Sequence, residues 1–171
     1  MSKGSNDGPS RNKDKKNAAS RAVAQRRSVT LPAELKKVLP AATVRAWETL
    51  APLLPKELYL GGGTAVAVHL HHRESRDLDF FNHGDAVDLE ALAKELSKVG
   101  QFAVVFEGKG TLRGYLGDIK VEFFHADEGR AQQVLEQPRV VVGVRVAGLK
   151  DLLAMKLKVV GDRGECAITT T

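Results

Sequence analysis

Three consecutive glycines at positions 61–63 separate a short apolar segment from a run of small apolar residues. Because glycine has no Cβ, the backbone here can adopt positive φ angles and approach a bound group closely. We expect a strand that ends at Leu60, a tight turn, and a helix with Thr64 as its N-cap. The free N–H groups at the start of such a helix favour an anion. Gly62, Gly63 and Thr64 are therefore candidates for binding a phosphate group.

An Asp-x-Asp pattern follows the expected helix, after a basic elbow that contains Arg73 and Arg76. Asp77 and Asp79 alternate with apolar residues, so both carboxylates are expected on one face of a strand, about 7 Å apart. Two carboxylates at that distance repel each other unless a cation lies between them. The natural cation for oxygen ligands beside phosphates is Mg²⁺. The spacing therefore predicts metal-assisted phosphoryl or nucleotidyl transfer.

Each of these two patterns also has an ordinary structural interpretation. A glycine triplet is commonly a tight turn, and an Asp-x-Asp strand is commonly a solvated sheet face. Their order favours the nucleotide site, because the glycine turn, helix, basic elbow and Asp-x-Asp strand follow one another within one supersecondary unit.

The same stretch closely resembles the signature of the AbiEii-type nucleotidyltransferases, toxins of abortive-infection and toxin–antitoxin systems with a polymerase-β-like core. In that family a Gly-Gly-Thr helix leads into His-Arg, a serine and Asp-Leu-Asp-Phe-Phe. The resemblance covers roughly Leu54 to Arg163. The matching positions in this chain are Gly62, Gly63, Thr64, His72, Arg73, Ser75, Asp77, Leu78, Asp79, Phe80 and Phe81.

The resemblance implies an α/β (α+β) fold, in which a polymerase-β-like core has a mixed sheet and flanking helices. In that arrangement a third acidic residue on an adjacent strand completes the metal site, and Glu122 occupies the corresponding place. Two Mg²⁺ ions held by Asp77, Asp79 and Glu122 would then align an NTP over the glycine turn. The alternative for Glu122 is an exposed glutamate on an edge strand.

The resemblance also implies roles for three residues around the phosphates. Lys156 would contact the triphosphate, Lys156 and Arg73 would stabilise the charge of the leaving pyrophosphate, and Ser75 would help position a phosphate oxygen. Taken without the resemblance, Lys156 is equally well an ordinary surface lysine of an amphipathic helix. A toxin-like role follows, with tRNA as a candidate acceptor and an antitoxin as partner.

Composition bounds the remaining possibilities. The chain has 171 residues, of which 26 are basic and 21 acidic, and its net charge of +5 is compatible with a polyanionic partner. Its single cysteine, Cys166, excludes a disulfide framework and a cysteine metal site. There is no apolar run of membrane-spanning length and no apolar signal-peptide core, so we expect a cytoplasmic protein without a membrane partner.

We expect three segments along the chain. Residues 1–28 are polar and basic and should form a disordered tail, residues 29–163 the nucleotidyltransferase domain, and residues 164–171 an irregular tail. After Arg163 the family motifs stop, and the chain looks truncated. Two other functions therefore stay open: an inactive remnant that binds nucleotide or nucleic acid, and a basic RNA-binding module whose affinity depends steeply on salt.

Hydrophobic periodicity and turn residues predict the other elements of the domain. They are two short helices between Leu31 and Leu54, a helix at Val87–Val99, an antiparallel meander of strands at Phe102–Phe106, Thr111–Leu116 and Ile119–Phe124, a short helix at Arg130–Leu135, a strand at Val140–Val146 and a helix at Gly148–Val160.

Overall fold

The computed structural model describes residues 30–82, 87–99, 102–108, 110–125 and 134–168, with side chains of the last helix as far as Val159. Its helices are α1 (Ala33–Val38), α2 (Ala41–Leu50), α3 (Gly62–Leu70), α4 (Leu89–Ser97) and α5 (Leu149–Ile168). Its strands are β1 (Tyr59–Leu60), β2 (Leu78–Asn82), β3 (Phe102–Gly108), β4 (Thr111–Leu116), β5 (Ile119–His125), β6 (Arg139–Val141) and β7 (Val144–Val146).

The seven strands form one mixed sheet in the order β3-β4-β5-β2-β1-β7-β6. The β1–β7 and β2–β5 pairs are parallel, and the other neighbouring pairs are antiparallel. The α/β fold class with a mixed sheet is thereby confirmed. So is the antiparallel meander β3-β4-β5, whose second hairpin turns at Gly117 and Asp118.

Alternate residues of strand β2 lie on the core face and on the opposite face of the sheet. Leu78, Phe80 and Asn82 are buried, whereas Asp79 and Phe81 are only half-buried, as the period-two pattern predicts. Phe80 stacks on Phe123 of β5 at a centroid distance of 5.3 Å. The apolar face is thus fixed by packing, and Asp79 is held on the other face.

The two helices expected between Leu31 and Leu54 are present as α1 and α2, and Pro32 and Pro40 stand at their N-cap positions. A proline is tolerated at a helix start, where its missing N–H has no intrahelical partner. Trp47 is 1% exposed and anchors α2 in the core, as its helical spacing predicts.

Two expected elements of the C-terminal part are not found as continuous elements in the described structure. The strand expected at Val140–Val146 is a hairpin of β6 and β7, because Val142 and Gly143 turn with φ angles of 46° and 79°. A β-branched residue at positive φ gives no turn signal in the sequence. Most of the short helix expected at Arg130–Leu135 lies outside the described residues, and Val134 and Leu135 are not helical.

Helix α5 continues through Ile168, so residues 164–168 are helical and the expected irregular tail is wrong for them. A helix propagates more easily than it starts, and the segment extends one already formed. The expected disordered segment 1–28 lies outside the described residues. Among the described residues, none of the helices combines the length and the apolar composition that a membrane-spanning segment needs.

Candidate functional site

The glycine turn and Asp79 are built against each other. Gly62 opens α3 with a φ of 61°, and a Cβ at this position would lie 2.1 Å from Asp79 Oδ2. The Gly61 N–H donates a hydrogen bond of 2.8 Å to the Asp79 carbonyl oxygen. Gly61, not Thr64, is the N-cap of α3, so that part of the expectation is wrong. The turn needs glycine at position 62 for both the backbone angle and the space.

Thr64 supports the basic elbow from the buried side. Its side chain is fully buried, and its hydroxyl makes hydrogen bonds to the Asp77 carbonyl oxygen and, at 2.8 Å, to the Ser75 hydroxyl. The buried Thr43 hydroxyl lies 3.5 Å from the carbonyl oxygens of Ser75 and Arg76. Both threonines therefore position the segment that carries the predicted site residues.

An open cavity of about 410 Å³ lies at the junction of the turn, the elbow and α5. Six of the predicted site residues line it, and so do two residues that sequence reasoning did not select, Glu74 and Arg76. Their position between Arg73 and Asp77 was the available signal. The predicted residues that line the cavity are Gly63, Arg73, Ser75, Asp77, Asp79 and Lys156.

Gly63 brings the elbow close to the start of α3. A Cβ at this glycine would lie 3.1 Å from both Arg73 Nη2 and Ser75 Oγ. The guanidinium of Arg73, the hydroxyl of Ser75 and the helix N-terminus therefore converge on one wall of the cavity. Convergent N–H donors and a positive helix end are the features that bind a phosphate.

Asp79 stands in an environment that disfavours its charge. Burial raises the pKa of the Asp79 carboxyl above its usual value, and the neighbouring charges of Glu122 and Asp77 raise it further. Lys120 and Lys156 act in the opposite direction and offset only part of this shift. Asp77, which directly precedes β2 and is exposed, lines the same cavity.

Glu122 lies beside Asp79 but has different partners. The two residues are in register on the parallel strands β2 and β5. Glu122 is 6% exposed on an interior strand, so the alternative of an exposed edge glutamate is wrong. Its carboxylate forms ion pairs with Arg113 and Lys120. Burial opposes ionisation, but these two ion pairs outweigh it and lower the pKa of Glu122.

The described residues contain no group of three or more His, Cys, Asp or Glu side chains placed to hold a metal ion. The three predicted carboxylates are therefore close in the fold without forming a ready-made ligand cage. Asp77 and Asp79 line the cavity, and Glu122 is engaged by its two cations.

Comparison with known proteins identifies one family. Residues 45–165 match the family described as "Nucleotidyl transferase AbiEii toxin, Type IV TA system". An uncharacterized protein of Aquifex aeolicus (strain VF5) is 32% identical over 111 residues, which are 63% of this chain and 52% of the relative. The chain thus spans about half the length of that relative.

Solved structures with a similar fold have lower identity. A Thermotoga maritima protein assigned as a nucleotidyltransferase is 21% identical with a TM-score of 0.48, over 73% of this chain and 88% of that one. JHP933 from Helicobacter pylori is 19% identical with a TM-score of 0.45, over 75% and 58%. A tRNA nucleotidyltransferase in complex with a primer tRNA and an ATP analogue is 22% identical with a TM-score of 0.36, over 58% and 33%.

Proposed function

The chain belongs to the AbiEii nucleotidyltransferase toxin family of type IV toxin–antitoxin systems, and we propose that it transfers a nucleoside monophosphate from an NTP to a hydroxyl acceptor. In this reaction the acceptor oxygen forms a bond to the α-phosphorus, the bond to the β-phosphate breaks, and pyrophosphate leaves. The acceptor hydroxyl gives up its proton to solvent water in the same process.

One observation carries the proposal: carboxylates and cations of the predicted site line the same cavity. Asp77 and Asp79 face it together with Arg73, Arg76 and Lys156. A triphosphate needs cations along its length, and the metal that accompanies it needs oxygen ligands close by. A purely structural cluster would pair these opposite charges directly, whereas no ion pair between these five residues is formed in the described structure.

The donor set fits Mg²⁺ at two of the three carboxylates. Asp77 and Asp79 offer carboxylate oxygens in the cavity, and burial together with the charges of Glu122 and Asp77 raises the pKa of Asp79. Glu122 would become a third ligand only when one of its two cations, Arg113 or Lys120, gives up its place on the carboxylate. Bound Mg²⁺ would neutralise the triphosphate and lower the pKa of the acceptor hydroxyl, with two ions in the full reaction.

Residues of the chain supply the remaining functions. Gly62 and Gly63 let phosphate oxygens approach the N-terminus of α3, and Ser75 positions one of those oxygens. Arg73, Arg76 and Lys156 stabilise the charge that develops on pyrophosphate. Thr64, which is buried behind the elbow, contributes by holding Ser75 and the Asp77 backbone in place.

We further propose tRNA as the acceptor, an antitoxin protein as partner, and the cytoplasm as the site of action. The family supports the antitoxin, because its toxins belong to toxin–antitoxin systems. The net charge of +5 favours a polyanionic acceptor over a neutral one.

Transfer from radiolabelled NTPs to total tRNA tests the proposal. Wild-type protein should label RNA in the presence of Mg²⁺ and lose this activity in EDTA. Asp79→Asn should lower the rate at least about a hundredfold, because it removes charge at the proposed metal site without changing volume. Asp118→Asn is the matched control, since Asp118 is exposed in the β4–β5 turn, away from the cavity lining.

Other outcomes point to the other functions. Mg²⁺-dependent NTP binding without transfer to any acceptor would indicate an inactive nucleotide-binding protein. RNA binding that falls steeply with salt and is unaffected by Asp79→Asn would indicate a basic RNA-binding module. Equal transfer by wild type and Asp79→Asn would exclude the site described above.

A further inference from the structure

A row of charged residues crosses three neighbouring strands next to the cavity. Asp79 of β2 is in register with Glu122 of β5, which is in register with Arg113 of β4. Residues in register place their side chains on the same sheet face, so this row lies on the face that bears Asp79. Lys120 lies two positions before Glu122 on the same strand and therefore on the same face.

Glu122 is fixed and its two cations are accessible. The Glu122 side chain is 8% exposed, whereas those of Arg113 and Lys120 are 42% and 34% exposed. Arg113 has a second partner, because its guanidinium lies 5.9 Å from the centroid of the Phe106 ring. Lys120 has no other ion pair within the described residues. Of the two cations, Lys120 is therefore the one that can leave Glu122 at lower cost.

The charge of Lys120 also reaches Asp79. It lowers the pKa of the Asp79 carboxyl, which burial and the neighbouring carboxylates raise, and the hydrogen bond that Lys120 donates to Glu122 raises the pKa of Lys120 itself. One ammonium group thus compensates two carboxylates of the proposed metal site. A divalent cation bound there would compensate the same two charges.

We propose that Lys120 occupies the place of a metal cation on Glu122, and that a divalent metal must displace its ammonium group to gain Glu122 as a ligand. Lys120 is thus a positioning residue that sets metal affinity, and this inference rests on the proposed function. It keeps the carboxylates together in the metal-free protein and weakens metal binding in return.

Direct Mn²⁺ binding, followed by electron paramagnetic resonance without nucleotide, gives a readout that is independent of activity. Lys120→Met should tighten Mn²⁺ binding roughly five- to tenfold, because it removes a competing unit charge close to the site. In a Glu122→Gln background the same substitution should tighten binding by less than about twofold, because Lys120 no longer occupies a metal ligand and opposes the metal only through its charge near Asp79. This double-mutant cycle measures the coupling of the two side chains.

Two further variants separate displacement from simple charge repulsion. Lys156→Met removes a cation that faces Asp79 but has no ion pair with Glu122, so it should tighten Mn²⁺ binding equally in both backgrounds. Lys98→Met removes an exposed cation paired with Glu95 on α4 and should change nothing. If Lys120→Met does not fold, Lys120→Gln tests the same point with a polar side chain.

Tightening by Lys120→Met that falls to less than about twofold in the Glu122→Gln background supports the inference. Unchanged or weaker Mn²⁺ binding by Lys120→Met, or tightening of the same size with Glu122→Gln, overturns it and leaves the proposed function intact. Absence of Mn²⁺ binding by the wild-type protein itself would instead overturn the proposed function, and this inference with it.

Discussion

The site has two sides that differ in electrostatic environment: one disfavours the charge of its carboxylate, and the other stabilises it. The turn side consists of residues 61–63 with Asp77 and Asp79, and the clamp side consists of Arg113, Lys120 and Glu122. On the turn side, a carboxylate with a raised pKa lies against a glycine at positive φ. On the clamp side, a more buried carboxylate has a lowered pKa because two cations neutralise it.

The turn side therefore lowers the stability of the fold, whereas the clamp side contributes to it. Charges without compensation and backbone at positive φ reduce stability, and they are characteristic of functional sites. Neutralised buried charges with satisfied hydrogen bonds support the fold. We therefore expect that removing the carboxylate charge on the turn side stabilises the metal-free protein, whereas removing the carboxylate charge on the clamp side destabilises it.

The largest effect is expected for Gly62→Ala. The alanine would have to keep the positive φ of Gly62. Its Cβ would also lie 2.1 Å from Asp79 Oδ2, so the Asp79 side chain has to move. Strain and displacement together should lower the free energy of unfolding by about 2–5 kcal/mol. Urea denaturation measures this change, and NTP binding should be lost with it.

Gly117→Ala is the matched control for Gly62→Ala. Gly117 has a φ of 59°, and nothing lies within 4 Å of the Cβ that alanine would add. This variant pays only for the backbone conformation, about 1–2 kcal/mol. Equal losses of unfolding free energy in the two variants would show that contact with Asp79 contributes nothing. Glycine at position 62 would then be needed only for its backbone angle.

The next effect is expected on the clamp side, for Glu122→Gln. Arg113 and Lys120 lose a charged acceptor that is almost fully buried, which should cost about 1–3 kcal/mol in EDTA at pH 7. Glu95→Gln removes the partner of Lys98 in an exposed pair and should cost less than about 0.5 kcal/mol. A Glu122→Gln protein as stable as wild type would contradict the structural role of the clamp.

Thr64→Val keeps the shape of the side chain but removes the hydroxyl that holds the elbow. The Asp77 carbonyl and the Ser75 hydroxyl lose a buried partner, so we expect a loss of about 1–2 kcal/mol and a higher KM for NTP. Thr49→Val removes an exposed hydrogen bond to Arg45 and should leave both quantities unchanged. An unchanged KM for Thr64→Val would show that the elbow holds its geometry without this tether.

Local patterns predicted most of the turn side. Glycine spacing, period-two alternation and the basic elbow are all signals within about twenty residues of sequence, and they place Gly63, Asp77 and Asp79 at one cavity. Glu122 was reached only through the family resemblance, because its partnership with Asp79 depends on the pairing of β2 with β5. Strand pairing between distant segments leaves no short-range trace.

The clamp itself could not be predicted for the same reason. Arg113 and Lys120 are ordinary charged residues in their own strands, and only the register of β4 on β5 brings both to one carboxylate. The role of Thr64 was misjudged because a threonine after glycines has the pattern of an N-cap. The helix starts three residues earlier, with Gly61 as its N-cap, so Thr64 lies in the interior and its hydroxyl contacts the elbow.

The smallest effect has the opposite sign, and it separates the two sides most directly. Asp79→Asn should stabilise the metal-free protein at pH 7 by about 0.5–2 kcal/mol, because it removes a charge that burial and two neighbouring carboxylates disfavour. The raised pKa of Asp79 gives the pH dependence: the folded state holds this proton above pH 3.8, where the unfolded state has lost it. Wild-type stability therefore falls relative to the variant as pH rises through the raised pKa.

The stability difference between wild type and Asp79→Asn should accordingly vanish near pH 3.8 and below, and grow towards neutral pH. For Glu122 the sign is reversed: its lowered pKa means that its stabilising contribution is present above pH 4.5 and is lost as pH falls through the folded value. Thermal unfolding from pH 3 to 8 in EDTA measures both. If Asp79→Asn destabilises the protein at neutral pH, the charge of Asp79 is stabilised by its surroundings. The two sides of the site would then have the same electrostatic character.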